Sequence, residues 1–269
     1  MGEAVNTGDI ELWTERRGHG PEVLLIAGLG DPAEAWQAQL DGLSDRYRLT
    51  AFDNRGVGRT PLPEGHISPT TVADDAAALL RTLEVPSAHI VGYSMGSAIA
   101  QEMALRHPEL VRSLVLMSTY ARPDALWRSQ LDFWRWLAEV APSERAFFEG
   151  FFTWVYTPRA HADGTVAQFV EEALAFPHKQ SVEAFQAQVD VCLAHNTHDR
   201  LPEIGAPTLV LSGELDLIMP PRVGRSVALR IPNARFEVMA GEAHQPFQEV
   251  PGKFNARVEA FWHELDARG

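Results

Sequence analysis

Apolar residues along this chain fall into two alternating patterns. Glu22-Val23-Leu24-Leu25-Ile26-Ala27 is unbroken apolar after its first residue, which predicts a strand covered on both faces. Residues 47–52, His89-Ile90-Val91, residues 110–117 and Pro207-Thr208-Leu209-Val210-Leu211-Ser212 predict further strands, with residues 235–239 the last. Between these runs the spacing lengthens. Residues 69–83 place Val72, Ala76, Leu79, Leu80 and Leu83 on one side of a helix. Helices are also predicted over residues 33–43, 98–104, 223–231 and 252–267. Near the start, Asp9 to Glu15 alternates after a Thr7-Gly8 turn, so residues 3–17 predict a hairpin. Strands that alternate with helices imply a mostly parallel sheet with helices on both faces. Such sheets bind ligands beyond the carboxyl ends of their strands.

The alternation stops after residue 117. From 118 to 200 no strand-like run occurs, and helical stretches are broken at Pro123, Pro142, Pro158 and Pro177. Thirteen of the 24 aromatic residues lie between Trp127 and Phe185, so this block has an apolar interior of its own. The expected organisation is a core domain of residues 1–117 and 201–269, with residues 118–200 inserted as a helical cap.

Composition removes several classes of partner. The 269 residues are 45% hydrophobic and 22% charged, ordinary for a globular protein. A net charge of −13 argues against nucleic acid and against an anionic membrane surface. No stretch reaches the ~20 apolar residues of a membrane span. The first residues also lack the basic and apolar regions of a signal peptide, so a cytoplasmic protein is expected. The single cysteine, Cys192, excludes an internal disulfide and a cysteine-based zinc site. His195, His198 and Asp199 lie close in sequence without a further ligand, and neither metal nor cofactor is expected.

One strand-turn-helix unit carries chemistry. His89-Ile90-Val91 runs into Gly92-Tyr93-Ser94-Met95-Gly96 and then into the helix former of residues 98–104. Gly-x-Ser-x-Gly between strand and helix is a nucleophile elbow, with the serine hydroxyl exposed on a strained turn. The glycines are needed because a Cβ at either place collides across that turn. A serine hydroxyl needs a base at neutral pH, usually a histidine oriented by a carboxylate. Downstream, Gly213-Glu214-Leu215-Asp216 and Ala243-His244 each follow a predicted strand, so both meet Ser94 at one sheet edge. Glu214 and Asp216 are both candidates for the acid.

Together these motifs resemble the α/β-hydrolase family, over nearly the whole chain outside the cap. Gly213-x-x-Asp216-x-x-x-Pro220 is similar to the family's acid loop, and Ala243-His244 with Glu249-x-Pro251 to its histidine loop. Asp53-x-Arg55-Gly56-x-Gly58-x-Thr60 resembles the turn before the elbow unit, with Thr60 where serine is usual. Asp53 and Arg55 are read as an internal ion pair bracing that turn. The resemblance implies an α/β fold with a mostly parallel central sheet flanked by helices and an inserted helical lid. It also implies a Ser94–His244–Asp216 triad, with the backbone N–H groups of Leu29 and Met95 forming the oxyanion hole. The sequence departs from the family at Ala27, where a histidine usually precedes Gly28; this changes how the oxyanion loop is braced without removing its N–H donors.

A serine nucleophile points to hydrolysis of an ester or lactone through an acyl-enzyme, and the aromatic cap to a substrate with a sizeable apolar part. Gly28, Tyr93, Tyr120, Phe133, Trp136, Phe152 and Trp154 are the expected substrate contacts. Related members include enol-lactonases, small-ester hydrolases, perhydrolases and carbon–carbon bond hydrolases, all on the same triad. The last act on acidic dienol-diketones and need cationic pocket residues, for which Arg128, Arg135, Arg145 and Arg159 are the cap candidates. A small-molecule receptor with an intact triad and an acyltransferase are the readings from other classes. The expected partner is a small-molecule substrate, and a homo-oligomer is compatible with the sequence.

Overall fold

Eight strands form one sheet in the order β1-β2-β4-β3-β5-β6-β7-β8. They are β1 (Glu3–Asn6), β2 (Glu11–Gly18), β3 (Glu22–Ile26), β4 (Arg48–Phe52), β5 (Ala88–Tyr93), β6 (Val111–Met117), β7 (Thr208–Gly213) and β8 (Ala234–Met239). The structure is a computed structural model that describes residues 2–267; Met1, Arg268 and Gly269, the ends of the expected core domain, lie outside the described residues. β1 and β2 form the antiparallel hairpin and β2 runs antiparallel to β4, whereas β4 to β8 pair in parallel.

Successive residues of each central strand enter opposite sides of the sheet, which is why these runs are apolar without alternation. Val23 and Leu25 of β3 join Val91, Val115, Leu209 and Leu211 on one face. Leu24 and Ile26 join Ile90, Leu114, Leu116 and Val210 on the other. α1 (Gln37–Leu43) and α11 (Pro251–Asp266) cover the first face through residues such as Leu40, Phe254 and Trp262. α2 (Pro69–Thr82), α3 (Met95–Arg106) and α9 (Pro221–Ala228) cover the second. α9 is displaced from its expected bounds, beginning with Pro221 at its first turn and ending at Ala228. Proline is preorganised for a helix start, and Pro232 disfavours helical backbone in the residue before it.

Between β6 and β7 lie five helices: α4 (Ala125–Val140), α5 (Glu144–Val155), α6 (Pro158–Ala162), α7 (Thr165–Ala175) and α8 (Val182–Ala194). Asp124, Ser143, Thr157 and Ser181 cap four of them, each accepting a hydrogen bond from the backbone N–H three residues on. The remaining short helix, α10 (Pro246–Glu249), follows β8. Among the described residues, no helix is long and apolar enough to cross a membrane.

Candidate active site

β5 ends at Tyr93 and α3 begins at Met95, leaving Ser94 to make the turn alone. Its φ of 53° and ψ of −121° are costly for a residue with a Cβ. The turn is held by the Ser94 N–H, which donates to Met117 O at 3.0 Å. A Cβ on Gly92 falls 2.3 Å from Gly96 O, and one on Gly96 falls 2.1 Å from Ile26 O and 2.6 Å from Ala27 O. Glycine at these positions therefore lets the first turn of α3 press against the end of β3, where the Gly28-Leu29-Gly30 loop departs. The Leu29 and Met95 N–H groups donate to no described residue. Two free donors at this junction suit a developing oxyanion.

The acid and histidine loops are pressed together in the same way. A Cβ on Gly213 falls 1.9 Å from Ala243 O. His244 Nδ1 lies 3.0 Å from Asp216 Oδ1 and 2.9 Å from Oδ2, with both side chains buried. Asp216 Oδ1 also accepts from the Ile218 and Met219 N–H groups, at 2.9 and 2.8 Å. Burial pushes the Asp216 carboxyl up, but attraction to His244 and these hydrogen bonds outweigh it and hold it below its ordinary value. Glu214 points elsewhere: it is exposed and accepts from the Gly241 N–H. The histidine loop is tied to its surroundings twice, by Ser118 Oγ donating to His244 O and by the His244 N–H donating to Val155 O, both at 3.0 Å. Ser94 Oγ and His244 Nε2 make no hydrogen bond to each other among the described residues.

A cavity of about 440 Å³ opens beside this group. Its wall includes Phe147, Phe148, Phe151 and Phe152 from α5, and it reaches the elbow region through Leu29 and Asp31 rather than through Ser94 or His244. Asp31 Oδ2 accepts from the Tyr93 hydroxyl and from Gln245 Nε2, the latter at 3.2 Å. Tyr156 extends this network, its hydroxyl lying 2.9 Å from Gln245 Oε1 and 2.6 Å from Gln248 Oε1. Burial raises the Asp31 carboxyl to about 7, against the lowering influence of His244 and Gln245.

A family model for the alpha/beta hydrolase fold matches residues 21–249. The chain belongs to the α/β-hydrolase fold family. It is similar to RutD of Azorhizobium caulinodans, provisionally named a carbamate hydrolase, at 30% identity over 259 residues, covering 96% of this chain and 97% of that one. Similarity to BpoC of Mycobacterium tuberculosis, provisionally named a non-heme bromoperoxidase, is 33% over 267 residues, covering 96% of this chain and 100% of the other. Among solved structures, a thermophilic esterase from Thermogutta terrifontis superposes with a TM-score of 0.85 at 25% identity, covering 98% of this chain and 99% of that one.

Of the expected substrate contacts in this hydrolase, Phe152 lines the cavity. Phe133 and Trp136 do not; they are 39% and 54% exposed on the outer side of α4, and Trp154 packs towards Phe133. α4 turns Trp127, Leu131 and Trp134 inward instead. Tyr120 is buried against Trp127 and His195. Gly28 packs under the Tyr93 ring, which a Cβ there meets at 2.7 Å. Asp53 and Arg55 do not pair with each other. Asp53 accepts from the Ala33 and Arg59 N–H groups, and Arg55 pairs with Asp75 on α2. The oxyanion loop, lacking a histidine at Ala27, is braced by Asn54 Nδ2 to Ala27 O at 3.2 Å and by the Gly30 N–H to Gln188 Oε1 at 2.9 Å. Asp31, Gln188 and Gln245 escape the sequence reading because their partners are 62, 158 and 214 residues distant.

Proposed function

We propose that the protein is a serine hydrolase that cleaves a carboxylic ester or lactone with a sizeable apolar part through an acyl-enzyme. The observation that carries this reading is the buried His244–Asp216 pair, held at the sheet edge where Ser94 stands on a positive-φ turn. Ser94 Oγ adds to the carbonyl carbon as His244 Nε2 takes its proton. Asp216 fixes the tautomer by accepting from Nδ1–H and stabilises the imidazolium. The Leu29 and Met95 N–H groups receive the oxyanion, each worth about 2.7–4 kcal/mol in the transition state. Collapse expels the alkoxide, which takes the proton from His244; water then attacks the acyl-enzyme, giving its proton to His244, and Ser94 leaves reprotonated. The serine–histidine contact tightens once substrate is bound, as such contacts do.

The cavity wall supports an apolar substrate portion, since seven phenylalanines line it. Carbon–carbon bond hydrolysis of acidic diketones finds no support there. Arg128, Arg135, Arg145 and Arg159 are absent from the lining, and the last three pair with Asp190, Glu171 and Glu242. Fold membership alone does not choose a substrate.

The test is a burst assay on p-nitrophenyl esters of increasing acyl length, with wild type and Ser94→Ala. Serine-dependent turnover is expected, with Ser94→Ala lower by about 10⁴-fold or more. A folded Ser94→Ala protein that retained wild-type turnover would remove the assignment. A stoichiometric burst without turnover would favour the receptor reading.

A further inference from the structure

Each fully buried acid has a resident cation, and half-buried Asp31 in the cavity wall differs from them. Asp53 has Arg59, Asp75 has Arg55, Glu102 has Arg200, Asp216 has His244, and Glu242 has Arg159 and Lys253, all within ion-pair distance. Asp31 has none among the described residues, although it lies where burial strongly disfavours its charge. Its two hydrogen-bond donors, Tyr93 and Gln245, both address Oδ2, and no described residue donates to Oδ1. A desolvated carboxyl kept without a counter-ion in a cavity wall is costly, and such costs gather at functional sites.

The rest of the wall agrees in sign. Asp31, Glu34, Glu144 and Glu172 line the cavity, Glu34 being paired with Arg59 at 2.6 Å, whereas Lys179 is the one lysine or arginine among its lining residues. The Lys179 ammonium is already committed, donating to Ala173 O and Leu174 O at 2.8 Å and lying 3.4 Å from Glu144. Phe148, Phe152 and Tyr156 border the same volume, and aromatic rings attract cations through their faces. The groups that face Asp31 are Tyr93 from β5, Tyr156 from the end of α5, His244 from the loop after β8, and the neutral amide of Gln245.

We propose that Asp31 is a specificity-determining residue whose free Oδ1 receives a protonated amine of the substrate, near the carbonyl bound at Leu29. The inference rests on the hydrolase reading above and narrows its substrate class to esters that carry an ammonium group. Only Gly30 separates Asp31 from Leu29, so amine and carbonyl belong to one substrate portion. Carboxylate-bearing substrates are disfavoured by the same wall.

The experiment compares ethyl esters of acids whose tails, matched in length, end in dimethylammonium, isopropyl or carboxylate. Hydrolysis is followed by titration at about pH 8, where Asp31 is ionised and the amine is protonated. For wild type we expect kcat/KM for the ammonium ester to exceed that of its isopropyl isostere by about tenfold or more, with the carboxylate ester slowest. In Asp31→Asn that ratio falls to about one, whereas Glu172→Gln, at the solvated rim, shifts it less than about twofold. Calorimetric binding of the ammonium and isopropyl esters to Ser94→Ala, with and without Asp31→Asn, reads the same ratio without turnover. A ratio near one in wild type and in Ser94→Ala, or a ratio that Asp31→Asn leaves unchanged, overturns the proposal. Absence of serine-dependent hydrolysis for every tail, alongside preferential ammonium binding, would instead overturn the hydrolase reading alone.

Discussion

β5 and α5 are both rich in apolar residues and use them in opposite ways. All six residues of β5 are buried, and its side chains divide between the two faces of the sheet. α5 carries Phe147, Phe148, Phe151, Phe152 and Trp154, yet Val155 alone of its twelve residues is buried. In the strand, apolar surface meets other side chains. In the helix much of it meets the cavity, which four of those phenylalanines line. Half-buried aromatic residues here form a cavity wall rather than a loosely packed core. Stability therefore resides in the first region, and under the proposed hydrolase reading selectivity resides in the second.

Three perturbations break or sharpen that division. The largest is expected in β5. Ile90 is fully buried, and Ile90→Ala should lower unfolding stability by about 2–5 kcal/mol. Denaturant titration measures this, and the acyl-length preference of the folded fraction should be unchanged; a shifted preference would show that the strand shapes the pocket directly.

The second perturbation is acid, because β5 and the inserted helical block each hold a buried neutral histidine. His89 of β5 has its Nδ1 2.7 Å from Ser113 Oγ and stacks on Trp262, and burial lowers it to about 4. His195, just after α8, is lowered by burial and then by Arg200 to about 3. Both folded values lie below the ordinary 6.5, so each contribution is complete above pH 6.5 and is lost as pH falls towards the folded value. Down to pH 5 the two sites respond alike, each costing roughly 2 kcal/mol. Substituting either with Gln should reduce proton uptake on unfolding at that pH by about one, measured from stability against pH. An unchanged slope would show that the histidine is already charged in the folded protein.

The smallest effect on stability is expected in α5. Phe148→Ala should cost less than about 1 kcal/mol, because the ring faces a volume rather than a partner on that side. It should nonetheless move the preferred acyl length upward, with kcat/KM for the longest ester changing by roughly tenfold. Loss of stability comparable to Ile90→Ala, without a change in preference, would make α5 ordinary core.

The same contrast governs what is legible in the sequence. β3, β5, β6 and β7 are readable because strands covered on both faces need runs such as Val23 to Ile26 and Leu114 to Met117. The elbow, acid and histidine loops are readable because each follows such a run, and the likeness of residues 213–220 to the family's acid loop separates Asp216 from exposed Glu214. In the insertion, the direction of a ring depends on helix phase. Trp127, Leu131 and Trp134 form one stripe of α4, and Phe133 and Trp136 fall off it, a signal present in the spacing. Asp31 and Gln188 leave no such signal. Their roles arise only when segments remote in sequence dock, and a polar residue in a loop looks the same with or without its partner.

Gln188 of α8 accepts from the Gly30 N–H while its own amide donates to Arg55 O at 3.1 Å. Gly30 follows the residue assigned to the oxyanion. Lifting α8 from the sheet edge would break both bonds at once and remove a tether from the loop after β3. Through one side chain the insertion thus holds both the loop after β3 and the turn after β4.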